Sequence, residues 1–351
     1  IPGNILADRV GPHALGILGS LCLLCCGVTG LISDVFGVFP LLVVSRLFNG
    51  MGQNAWQMSR VLLLSQAHSE QRAAALAIVG TMTRLGSLLG PIMGSHLTAD
   101  KGIRTMFEAQ LLCSVAILLL TLLPILLPSQ MIALDFLKEV EVSPQKSQSS
   151  LCRMVGCVVQ NWKDYATAGA GITFLNLLKQ AKDFLIVIKV HSLGGGVREC
   201  GFAVMLGYMF DALCSPLSGY LMGKLGRKFS LVPALFILGT CCGLMGTSLA
   251  NSILGTNVLA CLLGFGNALS SGTSACIGSD LAVKREREGR TVSKAEFLGP
   301  WRLINDFGQL LGPSIVGAVV TGMSLQAAAG SCSAIGVLGG VFVLTVVEET
   351  S

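Results

Sequence analysis

The stretch Gly86-Ser-Leu-Leu-Gly90-Pro91 recurs almost unchanged 222 residues further along the chain as Gly308-Gln-Leu-Leu-Gly312-Pro313. Glycines four residues apart clear one face of a helix of side chains, so a neighbouring helix can approach closely. The proline that follows removes a backbone donor and weakens the helix at that point. Both copies lie inside long apolar stretches, and the sequence therefore predicts a duplicated bundle of membrane helices.

Composition supports a membrane protein. The 351 residues are 52% hydrophobic and only 12% charged, with a mean hydropathy of +0.72. Soluble domains carry about 25% charged residues, and apolar runs of about 20 residues match the length of a membrane span. The chain opens with Ile1 in a loop-like segment and shows no signal-peptide pattern. We therefore expect a fragment whose first helices are missing.

Cysteine placement and net charge exclude other classes. Most of the 13 cysteines lie in apolar runs, where cysteine behaves as a small hydrophobic residue. The adjacent pairs Cys25-Cys26 and Cys241-Cys242 lack metal-ligand spacing, so we expect no metal and no cofactor. The net charge of +5 is spread over loops, which argues against a nucleic-acid partner.

Apolar runs between charged breaks predict ten spans. They are 14–33, 38–65, 72–97, 105–128, 165–190, 200–223, 229–249, 252–281, 295–321 and 324–347. We predict a four-helix N-terminal half-bundle over 1–128, a cytoplasmic linker over 129–164 and a six-helix C-terminal half-bundle over 165–351. Lysine and arginine number 14 in one set of alternate loops and four in the other. Because positive loops stay in the cytosol, the linker and both chain ends are predicted to be cytosolic.

Two further internal matches support a duplication. Residues 4–13 (NILADRVGPH) align with 219–228 (GYLMGKLGRK) at an offset of 215, and Gly50-Met-Gly52 aligns with Gly264-Phe-Gly266 at an offset of 214. The offset then grows to 222, which fits a longer basic loop between Lys284 and Lys294. One duplicated unit explains all three matches in order.

These motifs resemble the major facilitator superfamily. Its loop signature is matched in the first copy by Asp8, Arg9 and Gly11, and in the second by Gly219, Gly226, Arg227 and Lys228, with Gly223 in place of the acid. Arg46-x-x-x-Gly50 resembles the fourth-helix arginine motif of the family. Gly86, Gly90, Pro91 and Gly94 resemble the fifth-helix motif of its drug and metabolite antiporters.

The resemblance implies an all-α membrane protein of two pseudo-symmetric halves, with helices three to twelve of the family present and the first two absent. It also implies a carrier that works by alternating access, with a site near the membrane midplane. It further implies that Asp8 and Arg9 form a conformational latch near Glu296–Gly299, the start of the eleventh helix; a solvated loop pair is the alternative.

Charged residues inside the spans are candidates for substrate or proton binding, because charges buried in lipid cost at least ~2.5–3.5 kcal/mol each. They are Arg46, Arg60, Arg84, Lys179, Lys182, Asp183, Asp211, Arg302, Asp306 and, at one edge, Glu108. Arg46 has Ala260 as its counterpart in the second half. It either takes part in substrate or proton coupling or makes a structural hydrogen bond to a neighbouring helix.

Asp211 and the charged residues of the preceding span each allow two interpretations. Asp211 either protonates reversibly or pairs permanently with a lysine of the preceding helix. Lys179 and Asp183 are spaced to pair within one helix, which leaves one lysine to attract an anionic substrate; alternatively the lysines reach out to headgroups.

Asp306 occupies the repeat position of Arg84. The two could form a gate, although an intrahelical pair of Asp306 with Arg302 is favoured. Polar side chains either line the cavity or bind helices together. They are Gln53, Asn54, Gln57, Asn176, Gln180, Asn267 and Asn305, with Trp56 beside them.

The leading hypothesis is a multi-pass, monomeric secondary transporter that exports a small organic solute by proton antiport. Its partners are the solute, protons and the lipid bilayer. Paired weak points in matching halves are typical of transporters built from repeats. The alternatives are a proton-independent uniporter or importer and, less favoured, a non-transporting membrane sensor. The sequence has no nucleophile elbow, zinc-protease motif or phosphate-binding loop, so we expect no enzyme.

Overall fold

The computed structural model describes residues 12–65, 69–126, 151–289 and 294–347, and within these ranges it contains helices and no strand. The first four helices are α1 (Pro12–Phe36), α2 (Phe39–Ser65), α3 (Ser69–Lys101) and α4 (Ile103–Leu126). Tight turns join them in pairs: Gly37 and Gly102 adopt φ values of +65° and +83°, which only glycine tolerates easily.

The remaining helices are α5 (Leu151–Gln160), α6 (Ala170–Ser192), α7 (Val197–Leu225), α8 (Lys228–Leu244), α9 (Ile253–Leu269), α10 (Thr273–Arg287), α11 (Lys294–Gly322) and α12 (Leu325–Val346). A helical turn at Trp162–Asp164 and a π-helical turn at Tyr165–Gly169 lead directly into α6. A short 3₁₀ helix, Ser248–Ala250, precedes α9.

A described helix lies within each of the ten predicted spans, with two corrections. The predicted span 252–281 is two helices, α9 and α10, separated where Gly272 adopts a φ of +77°. The segment predicted as a linker, 129–164, includes the helix α5. Within the described residues, six stretches are long and apolar enough to cross a membrane: His13–Phe36, Ile103–Leu123, Val197–Leu225, Ile253–Arg287, Phe297–Gly322 and Leu325–Val346.

The first of two compact units contains α1, α2, α4 and both ends of α3. Its helices approach closely at glycine: a Cβ on Gly19 would lie 3.0 Å from the carbonyl oxygen of Gly52. Buried hydroxyls add contacts between helices, as when Ser45 donates to the carbonyl of Cys26 at 2.8 Å. The predicted boundaries of the half-bundles at 128 and 164 stay predictions.

The second unit contains the middle of α3, residues 84–96, and everything described from Leu151 onward. Helix α6 lies at its centre, and Leu175, Leu178 and Leu185 on this helix are fully buried. Backbones meet closely within this unit, because a Cβ on Gly264 of α9 would lie 2.0 Å from the Gly207 carbonyl oxygen of α7.

The outer surface is strongly apolar. Leu112, Leu254 and Leu338 are 72%, 75% and 65% exposed, and many other large apolar side chains share this exposure. Soluble monomers rarely expose contiguous apolar surface on this scale. The surface is that of a protein surrounded by lipid.

The two glycine-proline stretches have different surroundings. A Cβ on Gly308 would lie 2.7 Å from the Thr173 carbonyl oxygen, and one on Gly312 would lie 2.4 Å from that of Leu177. The second copy therefore packs against α6 as its spacing predicts. In the first copy, a Cβ on Gly86, Gly90 or Gly94 would meet no atom within 4 Å from any other helix that the structure describes.

Candidate functional site

Charged side chains converge in the second unit from three helices. Lys179 and Lys182 lie one turn apart on α6, Tyr208 and Asp211 one turn apart on α7, and Arg84 comes from the middle of α3. Residues three apart on a helix share one face, which directs each pair into the same space. With Asp183, which follows Lys182 on α6, the structure thus brings together five of the charged residues that the sequence predicted, and it adds Tyr208, which the sequence analysis did not single out.

Asp183 is held by two partners. Lys182 Nζ lies 2.5 Å from its Oδ1, and the Tyr208 hydroxyl donates to its Oδ2 at 2.8 Å. The Lys182 side chain is only 3% exposed, and its ammonium also lies 4.9 Å from the centre of the Tyr208 ring. The predicted pairing of Asp183 with Lys179 is corrected to a pairing with Lys182, because Lys179 turns toward α9.

Lys179 lies at the end of α9. Its Nζ donates to the carbonyl of Ser270 at 3.4 Å, and Ser270 caps the C-terminus of that helix. The C-terminal end of a helix favours a positive charge. The charges of Asp211, Lys182 and Arg84 also act on this ammonium.

Arg84 meets the same short connection from the other side. Its Nη2 donates to the Ser271 hydroxyl at 2.6 Å. Its Nη1 is buried and has no hydrogen-bond partner among the residues that the structure describes. Ser271 is thus the described hydrogen-bond partner of Arg84, and the gate between Arg84 and Asp306, the less favoured alternative from the sequence, stays a hypothesis.

Asp211 completes the cluster. Lys179, Arg84 and Lys182 exert their charges on its carboxylate, and the Asn267 side chain lies beside it. The other acid of the cluster, Asp183, is already paired with Lys182. Protonation of Asp211 therefore removes the negative charge that balances the remaining cations. Chemically, the arrangement can hold a proton and an ionic group of a solute next to one another.

A second polar group binds helices together. Asn176, 8% exposed, donates to the Asn305 side chain at 2.8 Å, and Ser274 also donates to Asn305. Asn305 in turn donates to the Trp301 carbonyl at 2.8 Å, and the Trp301 indole donates to the Ser274 carbonyl at 3.0 Å. For Asn176 and Asn305, these contacts match the interhelical alternative.

An apolar groove of about 640 Å³ lies between α6 and α11. Its lining includes Thr173, Phe174, Ile304 and Phe307, together with one acidic residue, Asp306. Arg302 lies one turn before Asp306 on α11. The intrahelical pair of these two residues stays a prediction.

The candidates in the first unit make local contacts. The Arg46 guanidinium lies 5.8 Å from the centre of the Phe107 ring of α4. Asn54 donates to the Gly50 carbonyl of its own helix at 3.0 Å, and Gln53 is exposed. The ring contact of Arg46 is not the hydrogen bond of its structural alternative, and both interpretations of Arg46 stay predictions.

Two ion pairs that the sequence analysis missed connect the ends of helices. Arg285 of α10 donates through Nε and Nη2 to both carboxylate oxygens of Asp164, at 2.5 and 2.6 Å. Arg227, in the second loop motif, donates to Asp280 at 3.0 Å, next to Gly226 with its φ of +96°. For the first pair, the run of lysine and arginine at residues 284–294 was the sequence feature that could have indicated an acidic partner. The first loop motif, Asp8, Arg9 and Gly11, lies outside the described residues.

Comparisons with known proteins agree with this architecture. A family model described as Major Facilitator Superfamily matches residues 1–293. The search of curated proteins gives no match.

Solved structures of transporters share the fold. A peptide transporter of the POT type, in complex with sulfate, is 13% identical, with a TM-score of 0.66, over 100% of this chain and 84% of its own. The xylose transporter XylE from E. coli is 16% identical, with a TM-score of 0.65, over 99% and 83%. A POT family transporter in complex with 5-aminolevulinic acid is 14% identical, with a TM-score of 0.66, over 98% and 83%. At these identities the likeness concerns the fold.

The family model covers most of the chain, and the helices and the apolar surface agree with it. The expected fold class is confirmed, as is the expectation that the protein is not an enzyme. The chain belongs to the major facilitator superfamily and is an integral membrane protein of the secondary-transporter class.

Proposed function

We propose that this protein moves a small organic solute across the membrane by alternating access, and that protons drive the cycle through Asp211. The observation that supports this is the charge cluster of α3, α6 and α7. Intramembrane ionisable groups usually mark substrate or proton pathways. One structural neighbour is described as a D-xylose–proton symporter and others are complexes with small solutes, which agrees with the proposal.

Asp211 is the acid that suits proton exchange. Asp183 is fixed by Lys182 and Tyr208, so its loss of charge would leave a buried ammonium unpaired, at a large cost. Asp211 instead has the Asn267 side chain beside it and is acted on by the charges of Lys179, Arg84 and Lys182. A proton can arrive there or leave while Lys179 and Arg84 keep their hydrogen bonds to Ser270 and Ser271.

The hypotheses differ in whether, and how, proton movement is coupled to movement of the solute. Export by antiport, which the sequence predicted, requires that the solute and the proton compete for the same group. A uniporter or importer without proton coupling requires that Asp211 be a structural charge. Both are tested by efflux of a solute library from vesicles that contain the protein, with and without an imposed pH gradient.

The decisive variants are Asp211→Asn and a matched control, Asp34→Asn, at an exposed position at the end of α1. We expect gradient-dependent flux in the parent protein and the Asp34 variant, and flux independent of the gradient in the Asp211 variant. Gradient-independent flux in the parent would assign a uniporter and reduce Asp211 to a structural role.

We propose that the linker over 129–164 and both chain ends lie in the cytosol, because lysine and arginine concentrate in that set of loops. We also propose that the protein acts as a monomer. Labelling of single cysteines introduced into loops, from each side of sealed vesicles, tests the first point, and the mass of the protein in detergent tests the second.

A further inference from the structure

We propose that the cluster binds an organic anion, a solute with a single carboxylate, between Arg84 and Lys179, and that a proton on Asp211 strengthens this binding. The inference rests on the proposed function, since it names the solute class of the same site. It concerns binding and can therefore be tested without measuring transport.

Charge balance favours an anion. The cluster holds three cations, Arg84, Lys179 and Lys182, against two acids, Asp183 and Asp211. Lys182 and Asp183 neutralise each other at 2.5 Å. Two cations then face the single charge of Asp211, which leaves one positive charge in excess. An uncompensated buried charge is costly, and an anionic solute removes that cost.

Lys179 and Arg84 donate hydrogen bonds to adjacent residues. Lys179 donates to Ser270 and Arg84 donates to Ser271, which are consecutive residues, and consecutive Cα atoms lie about 3.8 Å apart. The Lys179 bond is long, at 3.4 Å, and Arg84 keeps Nη1 buried without a partner among the described residues. A carboxylate placed there gains charge-assisted hydrogen bonds from both groups.

The proton and the anion support each other. The groups that act on Asp211 are Lys179 and Lys182 from α6 and Arg84 from α3, with Asn267 of α9 beside it and Tyr208 and Asp183 close by. While Asp211 is ionised, it competes with the solute for the same two cations. Once it is protonated, both cations are available to the solute. Such coupling is reciprocal, so the solute also strengthens proton binding.

This linkage has a directional consequence. A solute that binds together with a proton crosses the membrane in the same direction as that proton. For an anionic solute, the cluster therefore favours symport, whereas the antiport that the sequence predicted would need a solute that competes with the proton.

The test uses the chain reconstituted in lipid nanodiscs and a panel of monocarboxylates, each paired with its own primary amide. Thermal unfolding is followed with each compound in mildly acidic and mildly alkaline buffer. We expect stabilisation by carboxylates and not by their amides, and stronger stabilisation in the acidic buffer. Equal effects of acids and amides, or no stabilising carboxylate, would overturn the inference.

Variants locate the site. For the best carboxylate of the panel, Arg84→Gln and Lys179→Gln should each weaken binding by about 10-fold or more, as expected for a lost hydrogen bond between charged groups. Arg104→Gln and Lys101→Gln, at exposed positions, should leave the affinity unchanged. Arg84→Lys, which keeps the charge, should bind more tightly than Arg84→Gln and guards against a loss caused by misfolding.

Asp211→Asn separates the two proposals. It should bind the carboxylate at least as tightly as the parent and lose the pH dependence. Anion binding with flux indifferent to a pH gradient would leave the inference standing and defeat the proposed function. Gradient-driven flux confined to neutral or cationic solutes would overturn the inference and leave the proposed function standing.

Discussion

The sharpest structural prediction compares one substitution at the two equivalent glycines, Gly312 and Gly90. A Cβ on Gly312 would lie 2.4 Å from the Leu177 carbonyl oxygen and 2.9 Å from the Ala181 nitrogen. Both atoms belong to the backbone of α6, so relief requires movement of a whole helix. Gly90, 222 residues earlier, has no atom of another described helix within 4 Å of the same position.

The magnitude follows from two opposing effects. Overpacking a well-packed contact costs about 1–3 kcal/mol, whereas replacing glycine by alanine inside a helix gains about 1 kcal/mol. Both glycines directly precede a proline, where a Cβ disfavours the helical conformation, so this cost and the gain are common to the two variants. Gly312→Ala adds the overpacking cost and should lower the free energy of unfolding by about 1–3 kcal/mol more than Gly90→Ala does. The gap between the two variants, about 1–3 kcal/mol, measures the helix contact alone.

Unfolding of both variants by titration with SDS from mixed micelles provides the measurement. We expect Gly312→Ala to unfold at a lower SDS fraction than Gly90→Ala does. Equal midpoints for the two variants would refute the view that close packing of α6 on α11 depends on Gly312. Gly308→Ala, which meets the Thr173 carbonyl at 2.7 Å, should behave like Gly312→Ala.

The other predictions concern the ends of the helices. Arg285→Gln should destabilise the protein by about 1–3 kcal/mol, because the mostly buried carboxylate of Asp164 loses its bidentate hydrogen bonds. Arg287→Gln, at an exposed position, should have little effect in the same SDS titration. Gly226→Ala should cost about 1–3 kcal/mol because of the positive φ; Gly223→Ala, in open space, should cost nothing measurable, and equal costs would contradict the backbone argument.

Hydropathy locates the helices of this protein well, because burial in lipid imposes the same apolar requirement on every span. It does not locate the break between α9 and α10. Ser270, Ser271 and Gly272 interrupt the helix without adding charge, and the predicted span 252–281 contains no charged residue before Asp280. The same two serines form the polar end of the charge cluster, so the missed break is also part of the site.

The residues of the cluster could be predicted from the sequence because charges are costly in a membrane, but their pairing could not. Lys179 and Lys182 both stand near Asp183 along the helix, and spacing alone favours Lys179. Tyr208, from a different helix, donates a hydrogen bond to the second carboxylate oxygen of Asp183, and its ring lies against the Lys182 ammonium. That choice depends on tertiary contacts, which no local pattern encodes.

The π-helical turn at Tyr165–Gly169 sets the phase between two faces of one continuous helix. A π turn accommodates one residue more than an α turn, and each α-helical residue turns the chain by about 100°. The residues before it are thus rotated by about that angle relative to an uninterrupted α-helix. This allows Asp164 to meet Arg285 while Asn176, beyond the turn, meets Asn305. A single deletion there would leave α6 packed as it is and rotate Asp164 away from its partner.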